Sequence, residues 1–315
     1  MNSKVLTRLK DYVFEQKCIP WFVFVKWGKL KRDLDFLKIK FDICFGVKIL
    51  FFSKIENPKI SFLISHKNCA IFIKLCIESI RRYSKDGTYE IVIADDCSAE
   101  KEFEEIKQII ANDVTLYRFR KTRGHCFSLE WLFQKARAKY VIILDQDTIL
   151  VSNLWQDLID EFKIKDKLLM IGMRDQCALR NSPLMVHPSF ALINKERCKK
   201  FLKSPFFFGD KPLEHLYKID QAEEYHALSC KCLAFNEESI EYLDAYQTKY
   251  GYGSVGYYGS KDRRVMYHQW YSGRIHSMSE NSTIDDYSVK SLRDAINKFL
   301  IDYQADRFDL TPVNL

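Results

Sequence analysis

The chain has 315 residues, of which 47% are hydrophobic and 29% are charged. This length and composition exclude a disordered or collagen-like chain and allow one large domain or two ordinary ones. The net charge of +7 is too small to indicate nucleic acid as a partner.

The first 57 residues are basic and rich in aromatic side chains. They hold twelve Lys and Arg against six Asp and Glu, which accounts for +6 of the net charge. Their apolar runs, Ile19–Val25 and Ile43–Phe52, are shorter than the roughly 18 residues that span a membrane. We therefore predict a helical N-terminal extension over 1–57. It either contacts an anionic membrane surface peripherally or packs on the main domain.

The ten cysteines form no CxxC pair, and several fall inside apolar runs, where cysteine packs as a small hydrophobic residue. No signal peptide is visible in the sequence. We therefore expect a reduced, cytoplasmic protein. The basic extension would allow this protein to lie peripherally at the inner face of the membrane.

After Pro58 the sequence alternates short apolar runs with amphipathic stretches. This alternation predicts an α/β fold with a single doubly wound, mostly parallel sheet. Right-handed crossovers bring the C-terminal ends of parallel strands to one edge, where ligands bind. The predicted strands are Lys59–Ser65, Tyr89–Ala94, Val114–Phe119, Tyr140–Leu144 and Leu168–Met173, and the predicted helices lie at 68–83, after Ser98, at 128–138 and from Ser152.

From about residue 180 the pattern is less regular. The segment 250–260 is rich in Gly and Tyr, which predicts a mobile loop. Apolar positions at helical spacing predict a terminal helix over Asp286–Tyr303.

Two carboxylates, Asp145 and Asp147, directly follow the predicted strand Tyr140–Leu144. Hard divalent cations prefer oxygen ligands, and Mg²⁺ is often held by one or two carboxylates together with substrate phosphates. The pair therefore indicates a Mn²⁺ or Mg²⁺ site at the edge of the sheet that would neutralise a diphosphate. The alternative is a solvated acid pair that caps the next helix.

Asp95 and Asp96 follow an earlier predicted strand. A carboxylate here is suited to accept hydrogen bonds from a nucleobase N–H or a ribose hydroxyl. The alternative is turn chemistry, in which Asp and Ser cap the following helix. Both interpretations can hold together, because Ser98 suits the cap and leaves Asp96 free. The sequence contains no GxGxxG, GxxxxGK[ST] or GxSxG, which disfavours Rossmann, P-loop and α/β-hydrolase folds.

Three segments, KISFLISHKN, IVIADDCS and YVIILDQD, resemble the marker segments of family 2 glycosyltransferases with the glycosyltransferase-A fold. Cys97 stands where that family usually has Gly. The resemblance implies transfer of a sugar from a nucleotide-diphosphate sugar to a glycan or lipid-linked glycan, inverting and metal-dependent. It also implies a nucleotide-sugar-binding half at 58–175 and an acceptor-binding half at 176–315. A position at the membrane edge would suit synthesis of a cell-envelope polysaccharide.

The same resemblance suggests roles for individual residues. Ser65, Asp95, Asp96 and Arg123 are expected to bind the nucleotide part of the donor. Asp145 is expected near the ribose and the metal, and Asp147 on the metal.

Residues in the second half complete the predicted site. In many enzymes of this fold a C-terminal histidine completes the metal shell, and His268 is the candidate here. Arg274 is suited to pair with the diphosphate. The family's catalytic base is a downstream carboxylate, for which Asp220 is the first candidate and Glu223 and Glu224 follow. The alternative for these acids is an exposed helix face.

Two alternative functions are compatible with the same predicted sheet. A sugar nucleotidyltransferase would share the metal acids, but it normally has a Gly-rich segment after the first strand, where this chain has Ser65-His66-Lys67-Asn68. A non-catalytic nucleotide-sugar-binding relative would explain the absence of the family's Glu-Asp pair near Asp220.

Overall fold

The computed structural model describes residues 47–84, 88–174, 185–202, 204–207, 227–269 and 286–313. The greater part of the predicted N-terminal extension lies outside these residues. So do four of the candidate site residues, Asp220, Glu223, Glu224 and Arg274.

The described residues form eleven strands and seven helices. The strands are β1 (Val47–Phe51), β2 (Ile60–His66), β3 (Tyr89–Asp95), β4 (Val114–Phe119), β5 (Tyr140–Asp145), β6 (Thr148–Leu150), β7 (Met170–Arg174), β8 (Val186–Asn194), β9 (Ile240–Gln247), β10 (Ser254–Tyr257) and β11 (Arg264–His268). The helices are α1 (Ala70–Tyr83), α2 (Glu100–Lys107), α3 (His125–Lys135), α4 (Trp155–Ile164), α5 (Lys195–Phe201), α6 (Ala227–Phe235) and α7 (Asp286–Gln304).

The strands join in one sheet, in the order β1-β4-β3-β2-β5-β8-β7-β9-β10-β11-β6. Strands β4, β3, β2 and β5 are parallel neighbours, as the alternating pattern predicts, and the α/β class is confirmed. Beyond β5 only β7 and β9 pair in parallel, so six of the ten pairings in the sheet are antiparallel. The parallel arrangement thus holds mainly for the first half, because apolar runs identify strands without giving their direction.

The central strands are the most deeply buried elements. Every residue of β2 and β3 is buried, as expected for parallel strands that helices cover on both faces. Phe62 of β2 packs edge-to-face on Trp155 of α4, with 5.3 Å between the ring centroids. Burying a side chain of this size stabilises the fold by about 1.5–3 kcal/mol. The core therefore holds the ends of β2 and β3 in fixed positions.

Strand β1 lies at one edge of the sheet. It pairs antiparallel with β4, with Val47 opposite Phe119, and it belongs to the range predicted as a helical extension. The sheet therefore begins before the boundary predicted at residue 57. The division into 1–57, 58–175 and 176–315 stays a prediction.

The Gly- and Tyr-rich segment 250–260 is not simply the mobile loop that its composition predicts. It contains strand β10, and Tyr250 is fully buried with its hydroxyl on Asp302. A Cβ atom at Gly253 would lie 2.1 Å from the Tyr267 hydroxyl oxygen, so this glycine permits close packing.

The predicted terminal helix is confirmed as α7. Its buried Phe299 stacks on Tyr267 of β11, with 5.1 Å between centroids, which attaches the helix to the antiparallel half of the sheet. None of the described helices is long and apolar enough to cross a membrane.

Candidate active site

The C-terminal ends of β2, β3 and β5 lie side by side at one edge of the sheet. Ser65 of β2 is in register with Ala94 on one side and with Asp145 on the other. His66 is in register with Asp95. The prediction that these polar strand ends meet is confirmed.

Two carboxylates and one imidazole converge just beyond β5. Asp145, Asp147 and His268 each offer one ligand atom, and these atoms lie within 4.8 Å of one another. His268 Nε2 is 3.1 Å from Asp147 Oδ1 and 3.7 Å from Asp145 Oδ2. The structure thus brings together the three residues that the sequence analysis chose as metal ligands.

The pairing of β6 with β11 is what brings His268 to the aspartates. After Asp147 the chain enters β6 at once, and β6 pairs antiparallel with β11, where His268 lies opposite Thr148. The backbone N–H of Gln269 donates to the carbonyl of Asp147 at 3.0 Å. Residues 121 positions apart in sequence are therefore held together by a short stretch of sheet.

The electrostatics of this cluster favour a bound cation. Burial raises the pKa of the Asp145 carboxyl; His125 and His268 act against this shift, and Asp147 adds to it. Burial alone would lower the pKa of His268, but the carboxylates of Asp147 and Asp145 outweigh it and raise that pKa. Behind them, burial and the same two carboxylates raise the pKa of the Cys76 thiol. Negative charge is thus concentrated at a partly buried position.

The donor set fits a divalent metal ion. Asp145 and Asp147 offer carboxylate oxygens, which suit Mg²⁺ and Mn²⁺, and His268 offers a ring nitrogen, which Mn²⁺ accepts more readily than Mg²⁺. Asp147 and His268 are buried, while the Asp145 side chain is partly exposed. A cation bound here would face the edge of the sheet.

Two further histidines lie close to the Asp145 carboxylate. His125 Nε2 lies 3.7 Å from Asp145 Oδ1, and His187 Nδ1 lies 3.8 Å from Asp145 Oδ2. The backbone N–H of Ser189 donates to His187 Nδ1 at 3.1 Å, so this nitrogen is the acceptor of the ring. The sequence analysis gave neither histidine a role beside Asp145, because their spacing in the sequence indicates none.

The carboxylate of Asp96 is occupied by backbone groups. Its Oδ1 accepts from the N–H of Arg123 at 2.6 Å, and its Oδ2 accepts from the N–H of Gly124 at 3.0 Å. Asp96 is thus joined to the segment before α3, and its role in binding the nucleotide stays a prediction.

The predicted helix cap at Ser98 is wrong. Helix α2 has Ala99 at its N-cap position, without a side-chain cap, and the Ser98 hydroxyl instead accepts from the N–H of Asn68. Cys97, where the family has Gly, adopts a left-handed φ of 61°. The turn after β3 thus serves to join the ends of β2 and β3.

Asp95 and His66 are buried beneath this edge. Asp95 Oδ2 lies 3.4 Å from Arg118 Nε, and burial raises the pKa of the Asp95 carboxyl. Its other oxygen is 4.0 Å from His66 Nε2. Burial lowers the pKa of His66 to about 3, so the ring is neutral near pH 7.

Lys67 ties the turn between the two aspartates to its neighbours. Its backbone N–H donates to Gln146 Oε1 at 3.0 Å, and the Gln146 amide donates back to the Lys67 carbonyl at 3.4 Å. Its ammonium group donates to the Thr122 hydroxyl at 2.9 Å. These bonds connect the strand ends of β2 and β5 with the segment before α3.

The remaining predicted residues are only partly visible. The Arg123 guanidinium lies 5.6 Å from the centre of the Phe127 ring. The candidate bases Asp220, Glu223 and Glu224 lie outside the described residues, as does Arg274. The described segment nearest the bases on the N-terminal side is anchored, because Phe206 and Phe207 both donate their N–H groups to the buried Glu130 of α3.

Comparison with protein families gives a match over residues 61–241, more than half of the chain, to the family described as glycosyl transferase family 2. Comparison with curated proteins gives no significant match.

Solved structures provide distant likenesses. The mannosyltransferase PcManGT from Pyrobaculum calidifontis, in complex with GDP-Man and Mn²⁺, is 11% identical with a TM-score of 0.47, covering 90% of this chain and 86% of that chain. TarS residues 1–349 from S. aureus is 13% identical with a TM-score of 0.46, covering 82% of this chain and 76% of that chain.

Proposed function

Because the chain belongs to glycosyl transferase family 2 and is therefore an enzyme of glycosyl transfer, we propose the following reaction. A sugar moves from a nucleotide-diphosphate donor to a hydroxyl group of a glycan or lipid-linked glycan. The transfer is metal-dependent and inverts the anomeric centre.

The observation that carries this proposal is the convergence of Asp145, Asp147 and His268 at the C-terminal edge of the parallel strands. This edge is where ligands bind in open α/β sheets. The departing diphosphate is anionic, so the two acids would serve the transfer of a nucleotide-linked sugar by holding a cation that neutralises it.

These residues would hold Mn²⁺ or Mg²⁺. When bound, such a cation neutralises the charge that develops on the leaving diphosphate. Asp145, Asp147 and His268 supply the ligand atoms, and the buried core beneath them keeps those atoms in place before the donor arrives. The strand ends of β2 and β3 offer a place for the nucleotide, with Ser65 as the candidate nearest Asp145.

The transfer step needs a base from the second half of the chain. The acceptor oxygen forms a bond to the anomeric carbon while the bond from that carbon to the diphosphate oxygen breaks. The hydroxyl proton passes to a carboxylate, and the nucleoside diphosphate leaves. We assign this carboxylate first to Asp220, then to Glu223 or Glu224. Arg274 is our candidate to pair with the diphosphate.

Release of nucleoside diphosphate from GDP-, UDP- and CDP-sugars, measured with and without Mn²⁺, tests the proposal. We expect release that depends on metal and is lost in Asp147→Ala, whereas Asp157→Asn, which changes an exposed carboxylate on α4, serves as the control. Full activity of Asp147→Ala contradicts the metal role. Pyrophosphate formed from a sugar phosphate and a nucleoside triphosphate would instead indicate a nucleotidyltransferase. Donor binding without turnover would indicate a non-catalytic relative.

Peripheral membrane contact through residues 1–57 is part of the proposal, with a cytoplasmic position and a lipid-linked or cell-envelope acceptor. It is supported by the charge of this region and by exposed apolar residues at its end. Ile49 is 61% exposed and Phe52 is 60% exposed, with Leu50 and Phe51 exposed between them. An edge of this kind suits a surface that is both apolar and anionic.

Binding to vesicles tests the membrane contact. We expect sedimentation with phosphatidylserine vesicles, weakened by salt and by the double change Ile49→Ser with Phe52→Ser. The matched control is Ile164→Ser, which removes an exposed apolar residue from α4. Equal binding to neutral vesicles, or binding that salt does not change, contradicts the contact.

A further inference from the structure

Gln269 directly follows the last residue of β11 and is fully buried. Its amide oxygen accepts from the Tyr267 hydroxyl, and its amide nitrogen donates to the backbone carbonyl of Tyr250 at 3.4 Å. A backbone carbonyl can only accept, so this contact fixes which end of the amide faces Tyr250. Each end of the amide thus has a partner, which holds the side chain in one orientation.

The backbone of Gln269 connects this amide with the metal-binding cluster. Its N–H donates to the carbonyl of Asp147 at 3.0 Å, and Asp147 Oδ1 lies 3.1 Å from His268 Nε2. Side chains alternate between the two faces of a strand, so His268 lies on the opposite face from Tyr267 and Gln269. Hydrogen bonds and one short piece of backbone therefore lead from the Tyr267 hydroxyl to two of the three ligands.

The bond from Gln269 to Asp147 lies at the end of a ladder. It follows the pair formed by His268 of β11 and Thr148 of β6. Hydrogen bonds at the ends of elements open more readily than those inside them. Opening of this bond would let His268 move away from Asp147. A side chain that keeps it closed therefore favours cation binding, because groups that orient metal ligands alter metal affinity without touching the metal.

The surroundings of Gln269 would accept an apolar side chain. Tyr267 stacks on Phe299 with 5.1 Å between ring centroids, and Tyr250 meets Tyr267 edge-to-face at 6.4 Å. Replacing both partners of a buried hydrogen bond by apolar groups of the same shape is often nearly neutral for stability. The buried amide is therefore better explained by the geometry that it fixes than by packing.

We infer that Gln269 is a positioning residue for the metal centre. Its amide, held between Tyr267 and Tyr250, keeps its own N–H on the Asp147 carbonyl and so keeps Asp147 and His268 together. The inference rests on the proposed function, because it concerns the same cation.

Mn²⁺ affinity, measured by the loss of the free-ion electron paramagnetic resonance signal, tests this without turnover. We expect Gln269→Met, which keeps a side chain of similar length, to weaken Mn²⁺ binding about tenfold. The spectrum of the bound ion should change as well, because its ligands are held less firmly. Tyr267→Phe should weaken binding by a smaller factor, since the amide keeps its bond to the Tyr250 carbonyl.

The double variant separates positioning from packing. Gln269→Met with Tyr267→Phe replaces both partners of the side-chain hydrogen bond by apolar groups, so urea unfolding should show a stability close to that of the unmodified chain. Mn²⁺ affinity should stay about tenfold weaker, because the amide is still missing. Recovery of Mn²⁺ affinity together with stability overturns the inference.

Tyr250→Phe is the matched control. It removes a buried tyrosine hydroxyl from the same aromatic cluster, one that donates to Asp302 at 3.0 Å and accepts from the N–H of Asp309 at 3.1 Å. The Tyr250 carbonyl and the Gln269 amide stay in place. This variant should lower stability and leave Mn²⁺ affinity unchanged. A loss of affinity as large as that of Gln269→Met overturns the inference.

The remaining outcomes distinguish this inference from the proposed function. Unchanged Mn²⁺ affinity and an unchanged bound-ion spectrum in Gln269→Met overturn the inference and leave the proposed function standing. Should that variant not fold, unchanged affinity in Tyr267→Phe overturns it in the same way. Absence of sugar transfer by the unmodified chain, with the expected losses of affinity, overturns the proposed function alone. Absence of Mn²⁺ binding by the unmodified chain overturns this inference and the metal part of the function together.

Discussion

The two ends of the parallel strands both carry carboxylates, but their surroundings differ. At the N-terminal end, Glu90 of β3 is 1% exposed and its oxygens accept from the Ser61 hydroxyl, from the Arg137 backbone and from the Arg137 guanidinium. At the C-terminal end, where β5 finishes, Asp145 and Asp147 lie close to each other, with histidine rings as their nearest basic neighbours among the described residues.

The difference indicates that the carboxylate at one end of the strands stabilises the fold, whereas the pair at the other end is suited to bind a ligand. A buried carboxylate with a guanidinium and several hydrogen bonds stabilises the native chain, and leaving its partners unmatched would be costly. Two carboxylates held together near histidines cost stability until a cation joins them. We therefore expect substitution of Glu90 to lower stability and leave metal binding unchanged, and substitution of Asp147 to lower activity without lowering stability.

The largest effect should come from Asp147→Asn. Removing this ligand should lower the rate of transfer about 10³-fold, on the scale of losing one strong electrostatic contact to the leaving group. The metal-free chain should be as stable as the original or more stable, because one of two neighbouring charges is gone. Product release and urea unfolding measure the two quantities. A large loss of stability would contradict the comparison.

Added Mn²⁺ should stabilise the chain. At a concentration about 100 times the dissociation constant, linkage predicts a gain of about 2.7 kcal/mol in the free energy of unfolding. Thermal unfolding should show this gain for the unmodified chain and for Glu90→Gln, but not for Asp147→Asn. A similar gain in all three would place the bound ion elsewhere.

Glu90→Gln should act on stability alone. Replacing the ionised acceptor of the Arg137 guanidinium should cost about 2 kcal/mol of unfolding free energy, a magnitude typical of hydrogen bonds to charged groups. Mn²⁺ affinity should not change, since Glu90 lies at the opposite end of the parallel strands from Asp145. Weaker metal binding in this variant would show that the two ends are coupled.

The smallest effect concerns acid sensitivity and His66. Its pKa is about 3 in the native chain and about 6.5 when unfolded, so its contribution to stability is complete above pH 6.5 and declines as the pH falls toward 3. We expect a loss of about 1.4 kcal/mol for each pH unit within that window. Urea unfolding between pH 6 and 5 should show a shallower decline in His66→Phe. An unchanged slope would assign the sensitivity to other groups.

Much of the donor half could be predicted from the sequence. The runs at β2, β3 and β5 are short, apolar and followed by polar residues, and parallel crossovers dictate that such ends share one edge. Asp145 and Asp147 were therefore recognisable as neighbours of Ser65 and Asp96. His268 required the analogy with the fold, because only the pairing of β6 with β11 brings it to the aspartates.

Other features had no local pattern to show them. His125 and His187 approach Asp145 only through the tertiary fold. The directions of β8 to β11 depend on the path of the connecting segments, and a pattern of apolar residues does not predict strand direction. Strand β1 lies in a basic, irregular region whose composition favoured an extension, and its pairing with β4 is a contact across more than 60 positions.

The pairing of β6 with β11 has a consequence for biosynthesis. A nascent polypeptide that has emerged as far as α4 already carries both aspartates, but not the imidazole that completes the cluster. The ribosome must add more than a hundred further residues before the ligands are together. Binding of the proposed cation would therefore be a late event in maturation, and a truncated translation product would keep the acidic pair without the imidazole.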